Sequence, residues 1–395
     1  MPEKLRIAIF SDSALPVLNG VSISIDALIR ELRNQGHSVH LFCPHFPKHR
    51  EADTNTHRFR ALETPWTKGF PLAYPPFIRQ LQKFRRYEFD IIHTHTIGIV
   101  GFVGLRWAES HDLPIVATYH TLYDRYAHYI PLLPKRYTRF KIAKHTNFFY
   151  SSVDHVITPS EASKKWLRRH SVETPLTVIP TGASPRVFLD RSEVRQSLGI
   201  PADHRILLYV GRLAIEKNME TLFEMAKLAM SENDHIRLLV VGDGPYRGEC
   251  QALVRRHGIG DRVRFVGFVP PAEVSRYYTA ADLFVFASVT ETQGLVVQEA
   301  MSYGLPAVCV AGGGAGASIE SGVNGALVRN DPRMFAATVL QLLADDERYT
   351  RMSEAASRSV RQNGTPEMCE RVVDVYRRVI HARRGLETHS LAKLR

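Results

Sequence analysis

The strongest constraint on this chain is an alternation that runs along it as two successive series. Short apolar runs are each followed by a Gly-rich or polar turn and then by sequence with helical spacing, the pattern of parallel α/β architecture. In the first series strands are predicted at Leu5–Ser11, Ser38–Cys43, Phe89–His95, Ile115–His120 and His155–Thr158. Helices are predicted over Val21–Gln35, closed by Gly36 as a C-cap, and over Phe77–Tyr87. The second series restarts with Ile206–Val210, Ile236–Val241, Val263–Phe265, Leu283–Ala287 and Ala307–Val310. These short apolar runs are of the buried parallel-strand kind. Between the series, Pro180–Pro201 is rich in turn residues and is read as the hinge. The 395 residues thus divide into α/β domains over 1–185 and 186–365 and a C-terminal stretch over 366–395. That stretch is expected to carry Val372, Tyr376 and Val379 on one helical face. It should cross back to the first domain and end in a basic tail, His381–Arg395. Two open sheets in succession imply a cleft between them, with ligands at the carboxyl ends of the strands.

Composition narrows the function classes. Cys43, Cys250, Cys309 and Cys369 are far apart with no CxxC spacing, so neither a disulfide framework nor a structural zinc site is expected, and a reducing cytosol fits. A strand beginning by Leu5 leaves no room for a signal peptide. The longest strongly apolar stretch, Ile97–Leu105, is far short of the ~20 residues a membrane span needs. The net charge of +11 is unevenly spread, with 24 Lys/Arg against 15 Asp/Glu in residues 1–185 and 27 against 25 in the rest. A basic first half points to an anionic partner: nucleic acid, an acidic membrane surface or a phosphorylated ligand.

Four segments combine chemistry-bearing residues with a strand end. Ser11-Asp12-Ser13 through Asn19-Gly20-Val21 is a loop whose Gly20 precedes a helix, so backbone and helix N-terminus can approach an anion. Arg212 and Lys217 follow the strand ending at Val210, two cations one short loop apart that could clamp a diphosphate. After the strand ending at Ala287 come Glu291 and Glu299, eight apart, with Gly294 at a helix start between them. The amides of Gly294, Leu295 and Val296 would carry the positive end of the helix dipole, and the carboxylates suit hydroxyls, a set fit for a polyhydroxy, phosphorylated ligand. His120 ends a strand and could bond a hydroxyl or phosphate. His93 and His95 face the same way along their strand, but no third ligand is evident and no metal site is expected. Gly242-Asp243-Gly244-Pro245 reads as a turn rather than a dinucleotide site.

Together these residues resemble the retaining glycosyltransferases of family 4, over essentially the whole chain. The resemblance rests on Asn19-Gly20-Val21, the His120 segment, Arg212 with Lys217, and Glu291 with Glu299 as an E-x7-E motif. It implies an α/β GT-B fold of two Rossmann-like domains with parallel sheets facing a central cleft. By the same resemblance Arg212 and Lys217 would hold the donor diphosphate, Glu291 and the amides after it the sugar, and Glu299 the ribose. Gly20 would approach the phosphates, and uracil would stack near Gly267-Phe268-Val269.

Within the family the run from Asn19 to Ile25, the segment Thr118–Ile130, Ile179–Gly182 and Thr290–Met301 are most similar to diacylglycerol glucosyltransferases. That implies UDP-glucose as donor, a retained α-linkage to the sn-3 hydroxyl of diacylglycerol, and front-side displacement with the leaving phosphate taking the acceptor proton. No cofactor and no essential metal are implied, because the two cations and the helix dipole can do the electrostatic work. The sequence departs from these enzymes at Asp124-Arg125 and in the Gly-rich Gly312–Gly316.

The charge map speaks for a lipid acceptor independently. Between Asp124 and Asp154 stand Arg125, Lys135, Arg136, Arg139, Lys141 and Lys144 and no acid, interleaved with Leu132, Leu133, Tyr137, Phe140, Phe148 and Phe149. Such a surface suits an anionic bilayer, each cation contributing about 1 kcal/mol. On a strict helix these cations spread over more than half the circumference, so the helix is not a clean amphipathic one. Tyr123 and Tyr126 join them as acceptor candidates. A second stripe, Arg79, Lys83 and Arg86, lies opposite Phe77, Leu81 and Phe84 on the predicted Phe77–Tyr87 helix. A cytoplasmic protein, peripheral on the inner face of the cell membrane, is the expectation. Rival readings are another donor (GDP-mannose, UDP-glucuronate) or acceptor, a sugar-nucleotide epimerase, and a basic nucleic-acid-binding protein. The last lacks a stacking platform or recognised motif.

Overall fold

The computed structural model describes residues 4–47, 49–64, 71–122, 134–182, 187–361 and 364–392. The chain separates into two compact units, Met1–Gly182 with Thr365–Arg395, and Ala183–Gly364.

Unit 1 begins with β1 (Arg6–Phe10), α1 (Gly20–Asn34), β2 (Ser38–Pro44) and β3 (Thr56–Phe59). A short antiparallel pair, β4 (Ala61–Leu62) and β5 (Leu72–Ala73), precedes α2 (Ile78–Arg85), β6 (Ile91–Thr94), α3 (Ile99–Ser110) and β7 (Ile115–Thr118). Then come α4 (Lys135–Ser151), β8 (His155–Thr158), α5 (Glu161–Arg169) and β9 (Leu176–Val178). Seven parallel strands pair in the order β3-β2-β1-β6-β7-β8-β9. The doubly wound order places a topological switch point between β1 and β6, where loops leave in opposite directions. Local chemistry explains the entry into α1. The Asn19 side chain accepts the amides of Val21 and Ser22, both at 3.0 Å, while Ser22 Oγ accepts the Asn19 amide at 3.1 Å, a reciprocal cap. Gly36, at φ +87°, follows its end.

The C-terminal helix, Thr365–Ala392, belongs to this unit. Val372, Tyr376 and Val379 are buried in one core with Ile25, Leu28 and Leu32 of α1 and Ile7 and Ile9 of β1. Arg383 donates to Asp112 at 2.7 Å and to Asp154 at 3.2 Å, and Arg371 to the Val178 carbonyl at 2.6 Å. The region expected as a basic tail is therefore largely helix: His381–Ala392 continues the same element. Good helix formers and the Arg383 anchor outweigh the charge that suggested a tail.

Unit 2 comprises α6 (Arg191–Ser197), β10 (Arg205–Val210), α7 (Met219–Glu232), β11 (Ile236–Val241), α8 (Arg247–Arg256) and β12 (Val263–Gly267). It continues with α9 (Pro271–Ala280), β13 (Leu283–Phe286), α10 (Leu295–Ser302), β14 (Ala307–Val310), β15 (Gly325–Val328), α11 (Pro332–Ala344) and α12 (Asp346–Arg361). Its six parallel strands run β12-β11-β10-β13-β14-β15, so the switch point lies between β10 and β13. The segment read as a turn-rich hinge holds a helix, α6. Asp190 caps it by accepting the Glu193 amide at 2.9 Å, and Arg191 and Arg195 anchor it on buried Asp282 at 2.7 and 2.8 Å. The signal was a cap and two ion pairs rather than apolar periodicity, since Val194 is its one buried side chain.

Candidate functional site

In unit 2 the sequence candidates gather at the switch point. The loop after β10, Gly211–Asn218, contains a 3-10 turn over Ile215–Lys217, and the loop after β13 carries Ser288, Thr290 and Glu291. Asn218, held at φ +56°, ties the loops together by donating Nδ2 to the Ala287 carbonyl at 3.1 Å. Lys217 Nζ pairs with Glu291 Oε1, and Ser288 Oγ donates to the same oxygen at 3.1 Å. Arg212 donates to Glu216 Oε1 at 2.7 Å; the Glu216 side chain is 3% exposed and that of Arg212 45%. Thr290 Oγ1 donates to the Glu216 carbonyl at 3.1 Å. Both cations thus carry a carboxylate partner, and Glu216, to which the sequence assigned no role, is the most enclosed of the four charged side chains. A buried carboxylate beside a partly exposed guanidinium holds that guanidinium in one orientation.

Glycines bring these loops to their positions. A Cβ on Gly242 would lie 2.0 Å from the Gly211 carbonyl oxygen, and one on Gly244 2.2 Å from that of Leu213. The Gly242–Pro245 turn is therefore a brace against the Arg212 loop, which is a tertiary duty added to the turn read from sequence. Likewise Gly314 donates its amide to the Glu291 carbonyl at 2.7 Å, and a Cβ there would sit 1.9 Å from the Thr292 carbonyl oxygen. The Gly312–Gly316 stretch thus lets one backbone lie directly on the loop that carries Glu291. Gly294, at φ +76°, opens α10, whose first amides have no partner within the helix.

Glu291 and Glu299 take different partners. Glu299 is half-buried on the second turn of α10, and Tyr278 Oη donates to its Oε2 at 2.8 Å. Burial raises its pKa, partly offset by the Tyr278 bond. At the end of β12, Gly267 adopts φ +88° and its carbonyl accepts the Gly242 amide at 2.8 Å. Phe268 beside it is 64% exposed, an available aromatic face; Val269 is half-buried. Arg247, paired with Asp243 at 2.7 Å, lies against Gly267.

Unit 1 presents a different set. Gly20 is the first residue of α1, behind the Asn19 cap. Asp12 is turned inward: Thr96 Oγ1 donates to it at 2.5 Å and the amides of Val100 and Gly101 at 2.9 and 3.3 Å, so it holds the start of α3. Burial raises its pKa against those bonds. Beyond β7, His120 Nε2 meets His95 Nδ1 at 2.8 Å. His93 bridges the Tyr376 hydroxyl at 2.6 Å and Thr118 Oγ1 at 2.7 Å. Burial depresses all three histidines, His93 to about 3 and His120 to about 4, so they are neutral near pH 7. Among the described residues no group of three His, Cys, Asp or Glu is arranged to hold a metal ion.

The acceptor candidates fall on two helices. Arg136, Arg139, Lys141 and Lys144 of α4 are exposed, with Tyr137, Phe140 and Phe148 at 47%, 63% and 58% exposure. Phe149 faces the core. Tyr123, Tyr126 and the Lys135 side chain lie outside the described residues. Arg79 and Lys83 of α2 and Arg86 just past it are exposed, opposite buried Phe84. Among the described residues no helix is long and apolar enough to cross a membrane.

Comparison with known proteins gives a consistent picture. Residues 18–186 match the family described as Glycosyltransferase Family 4, and residues 190–359 that described as Glycosyl transferases group 1. The alpha-monoglucosyldiacylglycerol synthase of Streptococcus pneumoniae is 33% identical over 77% of this chain and 70% of its own. That of Acholeplasma laidlawii is 32% identical over 81% and 84%. A GDP-mannose-dependent alpha-mannosyltransferase of Mycolicibacterium smegmatis is 28% identical over 96% and 99%. Among solved structures, the sucrose-phosphate synthase of Thermosynechococcus elongatus superposes with a TM-score of 0.78 at 26% identity, covering 96% of this chain and 100% of that one. Anabaena Alr3699/HepE, solved in complex with UDP, gives 0.74 at 19% identity, covering 94% and 99%.

Proposed function

The chain belongs to glycosyltransferase family 4 and has the GT-B fold of two Rossmann-like domains, and on that premise we propose that it is a retaining, metal-independent enzyme that moves glucose from UDP-glucose to the sn-3 hydroxyl of 1,2-diacylglycerol. The observation that carries the donor half is the Lys217–Glu291 pair at the β10/β13 switch point, beside Arg212 and the opening of α10. A nucleotide sugar brings a diphosphate, which needs fixed positive charge, and hydroxyls, which need acceptors. Lys217 and Arg212 offer the first and Glu291 the second. Exposed Phe268, with Gly267 and Val269, offers the surface on which uracil stacks, and Glu299 the acceptor for ribose.

Departure of UDP leaves negative charge on the β-phosphate oxygen. Arg212, Lys217 and the first amides of α10 stabilise that charge as it develops, the role a metal ion would otherwise take. The same oxygen takes the acceptor proton while the hydroxyl attacks from the face the phosphate leaves, so the anomeric configuration is kept. His120 donates a hydrogen bond to sugar or phosphate, and Gly20 lets the start of α1 approach the phosphates. The exposed cations and aromatics of α4, with the α2 stripe, hold the protein on an anionic membrane surface where the acceptor resides. On this reading the enzyme works as a peripheral protein at the inner face of the cell membrane. Both named relatives that make monoglucosyldiacylglycerol support that acceptor. The mannosyltransferase relative makes GDP-mannose the second donor to test.

The test is a transfer assay with labelled UDP-glucose, GDP-mannose or UDP-glucuronate and diacylglycerol in mixed micelles, with and without anionic phospholipid and with EDTA. Glucose label in the lipid phase, α-linked and insensitive to EDTA, is the expected result. Label from GDP-mannose alone would replace the donor. No lipid label from any donor would overturn the acceptor. UDP-sugar conversion without acceptor would identify an epimerase.

A further inference from the structure

The His95–His120 contact has a direction that the surroundings decide. One proton lies between His95 Nδ1 and His120 Nε2, 2.8 Å apart, and either ring could own it. His95 is 2% exposed, and among the described residues its Nε2 has no hydrogen-bond partner. If His120 were the donor, a neutral His95 would carry its proton on that enclosed Nε2, leaving a buried N–H unsatisfied. If His95 donates, the enclosed atom is a bare lone pair. Orphaned buried N–H groups are the rarer and costlier of the two defects.

The alternative of charging a ring is closed by the packing. The His93 and His95 rings lie 4.0 Å apart and those of His95 and His120 5.1 Å, while His93 is engaged on both nitrogens. Three imidazoles at these separations repel any second positive charge, and burial disfavours the first.

We infer that His95 donates Nδ1–H to His120 Nε2 and thereby holds His120 as the neutral Nδ1–H tautomer, a hydrogen-bond donor that cannot accept a proton. The inference rests on the proposed transfer for its consequence, but not for its geometry. In that reaction His120 polarises or orients an oxygen of sugar, phosphate or acceptor, and the acceptor proton goes to the leaving phosphate oxygen rather than to a histidine. His95 is a positioning residue. Tyr376 and Thr118 extend the device one step back: they hold His93, which packs against the His95 ring.

The experiment uses the full chain labelled with 15N-histidine, read by long-range 1H–15N correlation, with His120→Phe to assign the His120 signals. The wild type is expected to show a protonated Nδ1 and bare Nε2 at His120. The reverse pattern overturns the inference. His95→Asn, whose side-chain amide can stand where Nδ1–H stood, is expected to keep the pattern. His95→Phe is expected to give a mixture of tautomers and a kcat about tenfold lower with KM for UDP-glucose little changed. An unmixed pattern in His95→Phe would show that something other than His95 sets the tautomer. Should His95→Phe fail to fold, the wild-type and Asn spectra still decide. If no glucosyl transfer is found at all, the spectra still read the tautomer, so the two readings fail separately.

Discussion

The two units solve the same topological problem with opposite chemistry. Each brings loops together at the switch point of a doubly wound parallel sheet. In unit 2 those loops hold permanent charge, Lys217 with Glu291 and Arg212 with Glu216. In unit 1 the corresponding strand ends hold His93 within β6, His95 just past it and His120 just past the neighbouring β7, kept neutral by burial. On the proposed transfer a diphosphate would need fixed cations whose geometry survives its arrival and departure, and paired carboxylates would keep those cations in place. A hydroxyl or sugar oxygen requires only neutral donors and acceptors, for which buried imidazoles serve. Close glycine contacts brace both units, Gly314 against the Thr292 carbonyl in unit 2 and Gly101 against the Thr96 carbonyl in unit 1, whereas the side-chain bond from His93 to Tyr376 of the C-terminal helix belongs to unit 1.

The sharpest way to break this contrast is to remove the charge from unit 2. Lys217→Ala is expected to lower kcat by about 100-fold or more, because one charge-stabilising donor is lost and Glu291 loses its cation. Far-UV circular dichroism should be unchanged; wild-type turnover would show that fixed charge at this switch point is not needed.

The glycine contacts come next. Gly314→Ala forces a methyl into the Thr292 carbonyl, at 1.9 Å before relaxation. An overpacking cost of about 3 kcal/mol would lower the unit 2 melting temperature by about 10 °C. An unchanged melt would mean that the Gly-rich stretch yields easily and does not brace Glu291.

Acid should separate the units. In unit 1 His57, His120 and His155 are depressed to about 4 and His93 to about 3, each chiefly by burial. Between the unfolded pKa of about 6.5 and those values the unfolded chain binds more protons, so this stability is present above pH 6.5 and is lost as pH falls toward 4. Asp12 in unit 1 and Glu299 in unit 2 are raised, and each works in the reverse sense, favouring the folded state as pH falls. Unit 1, with these four histidines and His37, His40 and His95 likewise lowered by burial against one such carboxyl, is expected to lose hydrogen-exchange protection first as pH is lowered from 7 to 4.5. Equal loss in both units would contradict the contrast.

The smallest effect belongs to the exposed face of α4. Arg139→Ala is expected to weaken cosedimentation with anionic vesicles about fivefold, a loss of about 1 kcal/mol that vanishes at high salt. No change at low salt would remove α4 from the proposed membrane surface.

Much of the fold was legible because its signals are local. Strands His155–Thr158, Ile236–Val241 and Ala307–Val310 are found with the predicted bounds, since each centres on β-branched and aliphatic residues flanked by polar or turn sequence. The strands not read are β3, β9 and β15, each four residues or fewer at a sheet edge, and the two-residue pair β4 and β5; runs so short do not stand out from the loops around them. Helix α6 was hidden in a segment read as punctuation, although Asp190 and Glu193 have the spacing of a cap and its third residue. Among the candidates, Arg212, Lys217 and Glu291 could be singled out because each follows a predicted strand, and His120 because it ends one. Glu216 could not, because a carboxylate in a loop reads as solvated until the fold encloses it.

The sequence by itself determined the alternation, its two-fold repetition and the strand ends at which the candidate residues stand, because hydrophobic period and turn residues act over a few positions. Only the tertiary structure decided which group meets which. Lys217 finds Glu291 across 74 residues, and His93 finds Tyr376 across 283. Contacts at such separations follow from strand order and helix docking rather than from local propensity. A charge, a glycine or a histidine therefore acquires its partner, and with it its protonation and its task, only once the sheets are assembled.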